Sequence, residues 1–292
     1  MKILFYVNEK RKWERRLCEV LTSSAEKQGI EVIKDTGGYQ GKVHDVDAVM
    51  IVGIGKNKRQ CRDAYVRAGK KAIYIDKGYL RQATQGVPLS SSGKRTSHWR
   101  IIVDGDHPHA YLNNIQRPSD RFDKLGLVMQ PRREGGEAIL LAGSSQRYCS
   151  HNRIAQPTAY AMQILKELAD RGIDREIIYR PKPRWRHAVP VPGTTYSTHL
   201  TTLKAELDRS KVLITHGSNA ALDSIMYGVP VIILGTSIAS PLTANTLDDM
   251  ECLDFPDDEQ RYQWACNVAY CQWTPDEIER GLAWETLSER FN

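Results

Sequence analysis

Residues 211–235, KVLITHGSNAALDSIMYGVPVIILG, decide how this chain is read. Two apolar runs, 212–214 and 231–234, are too short for helices and show no alternation with polar residues. That suits strands of a parallel sheet covered on both faces. Between them Ser218 is placed to cap a helix that Gly228 and Pro230 stop. The result is a βαβ unit whose first turn holds Thr215, His216, Gly217, Ser218 and Asn219. A helix start offers backbone N–H groups and the positive end of a dipole, so this turn suits a phosphate. The same residues equally suit an ordinary capped helix of an α/β domain.

Upstream, AILLAGSS (138–145) reads as a first strand ending in Ser144 and Ser145, a second phosphate-facing turn. A helix over 158–171 leads to EIIYR (176–180). RPKPRWRHAVPVPGTT (180–195) is too proline-rich for a helix or central strand. It is a loop at a strand's C-terminal end, where open α/β sheets bind ligands, and it carries Arg180 and Lys182. In the N-terminal half, strands at 2–7, 31–33, 48–53, 72–75 and 100–103 are separated by helix-length segments at 13–28 and 57–68. Such alternation predicts a parallel, doubly wound sheet. TQGVPLSSSGKRTS (84–97) predicts a mobile surface loop. The expected division is a first domain at 1–130, a second at 131–262 and a helical segment at 263–292 packing across them. In that segment Thr274, Pro275 and Glu277 form a capping box, and Trp264, Trp273 and Trp284 are core residues.

At 292 residues, 41% hydrophobic and 26% charged, the chain suits a globular protein with a real core. No apolar run is long enough to span a membrane, and the N-terminus lacks the pattern of a signal peptide. Six cysteines without CxxC or Cys/His pairing argue against a zinc site or disulfide framework, which makes a reducing cytoplasm the default. The net charge of +6 is unevenly spread: residues 1–130 carry 24 Lys and Arg against 14 Asp and Glu, residues 131–292 carry 17 against 21. A basic half beside an acidic one suggests that one part meets a polyanion.

SNAALDSIMYGVPVI (218–232) resembles the donor-binding segment of GT-B glycosyltransferases. In that superfamily small polar residues begin a helix, an acid follows, and a Gly-x-Pro turn leads into a strand; here these are Ser218 and Asn219, Asp223, and Gly228 to Pro230. YRPKP (179–183) is similar to the basic loop of capsule-type sugar transferases, with Lys182 where histidine is usual. DRFDKLGL (120–127), THGSNAAL (215–222) and AYCQWTPDEI (269–278) resemble glycosyltransferase-like proteins of phages and prophages. The resemblance implies two Rossmann-like domains facing a cleft, with a C-terminal helical segment. It also implies a nucleotide sugar such as a UDP-sugar as co-substrate and no bound cofactor. The donor diphosphate falls to the helix start and the ribose hydroxyls to Asp223.

The chemistry fits this independently. A leaving diphosphate must be neutralised, and no DxD-like metal motif sits at a strand end, so a metal-free site relies on Arg180, Lys182, His216 and the turn at Gly217, Ser218 and Asn219. An acceptor hydroxyl must lose its proton, and strand ends in the basic half offer Asp104 or His107, with Asp76 behind. Each of these also suits a plain turn residue. The phage resemblance points to hydroxymethylated pyrimidine DNA as the acceptor, with Lys10, Arg11, Lys12, Arg15, Arg16, Lys94, Arg95 and Arg100 on its phosphates, in the cytoplasm of a host cell if the protein is phage-encoded. A surface polysaccharide is the alternative acceptor. A nucleotide-sugar epimerase and a non-catalytic nucleic-acid-binding protein on the same fold are the alternative functions.

Overall fold

A computed structural model describes residues 1–80, 98–183, 185–198, 200–251 and 253–288. Lys94 and Arg95, and the whole loop expected at 84–97, lie outside them. Two compact units emerge, and within the described residues the first comprises 1–80, 98–108 and 269–288, the second 109–268. The division thus falls at 108 rather than 130, and the chain after 268 returns to the first unit.

The first unit runs β1 (Lys2–Tyr6), α1 (Lys12–Glu26), β2 (Glu31–Asp35), β3 (Ala48–Val52), α2 (Lys56–Arg67), β4 (Lys71–Lys77) and β5 (Trp99–Val103). The second unit follows with α3 (His109–Asn113), α4 (Asp120–Asp123), β6 (Ala138–Ala142), α5 (Gln146–Asn152), α6 (Pro157–Asp170), β7 (Ile177–Arg180) and β8 (Thr195–Tyr196). It continues with α7 (Leu203–Leu207), β9 (Ser210–Thr215), α8 (Ala220–Met226), β10 (Val231–Ile233) and α9 (Asp258–Ala269). Then β11 (Gln272–Trp273), α10 (Pro275–Glu279) and α11 (Leu282–Ser288) complete the first unit.

Burial explains why these stretches are strands and helices. β3 and β6 are buried at all five positions, as central strands covered on both faces must be. α1 turns Leu17, Cys18, Leu21 and Ala25 onto the sheet, a helical spacing. The first sheet has the order β11-β5-β4-β3-β1-β2 and the second β10-β9-β6-β7-β8. All pairs are parallel except β4 with β5 and β5 with β11. The segment 100–103 therefore corrects the all-parallel expectation. β5 starts at the end of the sheet where β4 stops, so Trp99 pairs with Lys77 and Val103 with Ile73.

The C-terminal stretch docks through tryptophan. Trp273 and Trp284 are buried in the first unit's core, and the Trp284 indole N–H donates to Leu21 O (3.2 Å) and Ser24 Oγ (3.0 Å) of α1. Thr274 and Glu277 form the expected capping box. Trp264 is buried in the second unit and donates to Ile238 O (3.2 Å).

Candidate functional site

In an open α/β sheet, ligands bind beyond the C-terminal ends of the strands, where successive connections leave in opposite directions. In the second sheet that point lies between β6 and β9. From β6 the chain moves out to β7 and β8, then crosses back to β9 and β10. Ala142 and Thr215 are register partners and end the two strands, so the turns at 143–145 and 216–219 are side by side. The Thr215 hydroxyl donates to Ala142 O (3.0 Å) and accepts from the N–H groups of Gly217 (3.4 Å) and Ser218 (3.2 Å). Two of the N–H groups expected to be open to a phosphate are thus already engaged, at long distances.

The cap also differs from the expected one. α8 is seven residues long, Asn219 occupies its N-cap position without a side-chain cap bond, and Ser218 Oγ accepts from Ala220 N–H (3.3 Å). Ser145 does cap α5, accepting from Tyr148 N–H (3.2 Å). Ser144 is 7% exposed, and its hydroxyl takes no partner among the described residues.

His216 is the group best suited to an anion here. Its Nδ1 meets the Tyr148 hydroxyl at 3.1 Å, and its ring packs edge-on against Tyr148 and Tyr160, with centroids 5.7 and 5.6 Å away. Nε2 makes no hydrogen bond among the described residues. Burial holds its pKa below the ordinary 6.5, since the half-buried cation loses hydration. The Tyr179 hydroxyl, on β7, is buried without a hydrogen-bond partner among the described residues, 3.3 Å from where a Cβ on Gly143 would stand. Burial pushes its pKa up to about 12. An orphaned buried hydroxyl costs roughly 1–3 kcal/mol, and a ligand that accepts from it recovers that.

No side chain fits at two positions of this edge. A Cβ on Gly217 would stand 2.4 Å from Thr236 O and 2.1 Å from the Tyr148 hydroxyl, and one on Gly235 would stand 2.2 Å from the His216 ring. Arg180 ends β7, but its guanidinium donates to Ser197 Oγ and Thr201 O, both at 2.9 Å. It ties the end of β7 to the segment that follows β8, and burial draws its pKa down despite Glu206. Lys182 is exposed on that loop, and Asp223 is partly exposed in the first turn of α8. Among the described residues no three His, Cys, Asp or Glu are grouped to hold a metal ion.

In the first sheet the corresponding point lies between β1 and β3. Glu14, 0% exposed, fills it: its carboxylate accepts from Asn8 N–H (2.9 Å) and pairs with Arg11 (3.5 Å) and Lys58 (3.8 Å). Lys58 also donates to Val52 O at the end of β3. Sequence reasoning missed Glu14 because a glutamate in a first helical turn is ordinary, and the lysine that marks it lies 44 positions on.

The catalytic candidates separate. Asp76 is near the end of β4 and partly exposed, accepting from the Tyr74 hydroxyl (2.8 Å), Lys77 N–H (2.8 Å) and Arg100 (3.4 Å). Asp104 stands at the opposite edge, because β5 runs antiparallel. It accepts from Ala72 N–H (2.9 Å), pairs with Lys71 (3.0 Å) and adopts a φ of 52°. It belongs to the turn rather than to the C-terminal edge. His107 meets the Tyr79 hydroxyl through Nδ1 at 3.1 Å. Arg100, with 12% of its side chain exposed, lies over the Tyr74 and Tyr79 rings (5.4 and 4.7 Å) and is held by Asp76, so it is no surface phosphate contact. Arg11 is engaged by Glu14, whereas Lys10, Lys12, Arg15 and Arg16 are exposed or nearly so around the start of α1.

A cavity of about 500 Å³ opens elsewhere, at the N-terminal ends of the second sheet's strands, beside Arg133, Glu137, Lys211 and Pro230. Its cations are largely used: Arg133 pairs with Asp208 and Arg175 with Glu137. Open α/β sheets take their ligands beyond strand C-terminal ends, the edge opposite this cavity.

No protein-family model and no curated protein matches the chain. Among solved structures, the Thermosulfurimonas dismutans KpsC beta Kdo 2,4 transferase is similar over 99% of this chain and 98% of its own, with a TM-score of 0.53 at 11% identity. The fold is GT-B. The beta Kdo 2,7 transferase of the same KpsC covers 98% of this chain and 100% of its own (TM-score 0.49, 10% identity). The UDP-GlcNAc 2-epimerase from Neisseria meningitidis bound to UDP-GlcNAc covers 99% of this chain and 100% of its own (TM-score 0.31, 12% identity).

Proposed function

We propose that this chain is a glycosyltransferase that takes a sugar from a nucleotide-sugar donor and passes it to a hydroxyl of a saccharide acceptor. The observation that carries the reading is the pair of turns at the end of β6 and β9, with His216 Nε2 and the Tyr179 and Ser144 hydroxyls all without partners among the described residues. These are polar groups for a polar ligand, at the edge of the sheet that takes ligands. In this reading the donor phosphate meets His216 and Ser144, Gly217 and Gly235 keep the backbone close, and Asp223 takes the ribose. Arg180 braces the segment after β8, and Lys182 stands on the loop beyond β7. Asp76 receives the acceptor proton: a carboxylate in general-base catalysis contributes about 10²–10⁴-fold.

The likeness to KpsC, a beta Kdo 2,4 transferase, supports a saccharide acceptor and gives no support to DNA. Arg100, held by Asp76, also leaves the set of expected phosphate contacts. The expected metal independence belongs to the same reading, and transfer should survive a chelator. The test is a transfer assay with a panel of nucleotide sugars, acidic and neutral oligosaccharides and hydroxymethylated DNA, read by mass spectrometry. A sugar mass increment on an oligosaccharide is expected. An increment on DNA alone refutes the acceptor, and no donor consumption at all refutes the transferase.

A further inference from the structure

Trp13 is 43% exposed, an unusual place for the largest apolar side chain. It stands in the first turn of α1, and its indole stacks on that of Trp99 with centroids 5.3 Å apart and planes 13° from parallel. Trp99 packs against the first unit's core, so one face of Trp13 is backed by a fixed ring while the other meets solvent. The pair sits at the ligand-binding edge: α1 leaves the C-terminal end of β1, and Trp99 is the register partner of Lys77, the last residue of β4. Its surroundings are cationic. Arg16 lies one helical turn beyond Trp13, and Lys77 shares the sheet face of Trp99; both are exposed and form no ion pair among the described residues.

We propose that the outer face of Trp13 is the platform for one ring of the acceptor, and that the acceptor is a chain of carboxylate-bearing sugars. A pyranose offers a flat patch of C–H groups that stacks on an indole, and a tryptophan held rigid loses little entropy on binding. Arg16 and Lys77 are then within side-chain reach of a carboxylate on that ring or the next. A nucleic-acid base also stacks on tryptophan, but one backed indole offers one face, whereas a strand needs successive platforms. The inference rests on the transferase reading and names its acceptor class.

Calorimetry decides it, using the intact protein and three kinds of probe: tetrasaccharides of uronic and 2-keto sugar acids, a neutral tetrasaccharide, and a single-stranded DNA 12-mer. A carboxylated tetrasaccharide should bind most tightly. Trp13→Ala should weaken it by about tenfold or more and Trp13→Phe by no more than about threefold, while the combined Arg16→Ala and Lys77→Ala variant should erase the preference over the neutral probe. Trp13→Ala loses the stack on Trp99 and should lower the melting temperature slightly while staying folded, and its nucleotide binding should match the parent. Binding of no carboxylated probe, binding indifferent to Trp13→Ala, or tighter binding of the DNA overturns the proposal. If nucleotide binding is intact in any of these cases, only this inference falls; if no nucleotide binds the parent, the transferase reading falls with it.

Discussion

The two sheets place very different chemistry at equivalent points. Beyond β6 and β9, small residues and short turns leave an imidazole nitrogen and two hydroxyls unpaired among the described residues. Beyond β1 and β3, Glu14 is buried between Arg11 and Lys58 and accepts a backbone N–H besides. A buried carboxylate must be compensated in this way, and removing one partner typically costs about 3–5 kcal/mol. The point beyond β1 and β3 is thus filled by the protein's own side chains. The point beyond β6 and β9 is left incomplete by the protein. The difference teaches that a shared topology fixes where a site lies, while local packing decides whether a ligand or a side chain occupies it.

The sharpest way to break this contrast is Gly217→Ala. The added Cβ meets a backbone oxygen that cannot swing away. Overpacking of this kind costs about 1–3 kcal/mol of stability, seen as a lower denaturant midpoint, and nucleotide binding measured by calorimetry should vanish. Retention of full nucleotide affinity would place the ligand elsewhere.

Next in size is a paired substitution within the first unit. Asp76→Asn should lower kcat by about 10²–10⁴-fold with donor KM little changed, as for loss of a general base. Asp104→Asn, at the other edge, should leave kcat alone and cost no more than about 1 kcal/mol, the scale of a solvent-exposed pair with Lys71. Steady-state kinetics on both variants decides which edge does chemistry; the reverse ranking would restore Asp104.

The smallest effect is titration of His216. Its folded pKa lies below the unfolded 6.5, so the folded protein prefers neutral imidazole. The stability tied to this preference is complete above about pH 6.5 and is lost as pH falls through 6.5 towards the lower folded value. His216→Gln should flatten that fall in melting temperature. A phosphate against Nε2 favours the cation, so nucleotide affinity of the parent should rise over the same window and that of His216→Gln should not. An unchanged pH profile in the variant would remove His216 from the site.

What the sequence made legible follows the range of the interactions. Residues 211–235 carry strand, turn, helix and strand within one local pattern, and the structure keeps that order as β9, α8 and β10. The Thr274 capping box is equally local. Asp104 misled because RIIV reads as a strand in either direction, and only pairing with β4 sets the edge at which it ends. Arg100 misled because its partners, Asp76, Tyr74 and Tyr79, lie on another segment. Glu14 and the Trp13–Trp99 stack escaped notice for the same reason. Charge counts gave the basic half correctly and said nothing about which cations were already paired.

In the proposed reading a nucleotide binds at the end of β6 and β9. Hydrogen–deuterium exchange with and without a saturating nucleotide or nucleotide sugar, read peptide by peptide, tests it directly. Slower exchange is predicted for peptides spanning 142–149 and 214–222, with the cavity-lining stretch at 132–137 and the turn around Asp104 unchanged. Protection confined to 132–137, or no protection with any common nucleotide, would contradict the account.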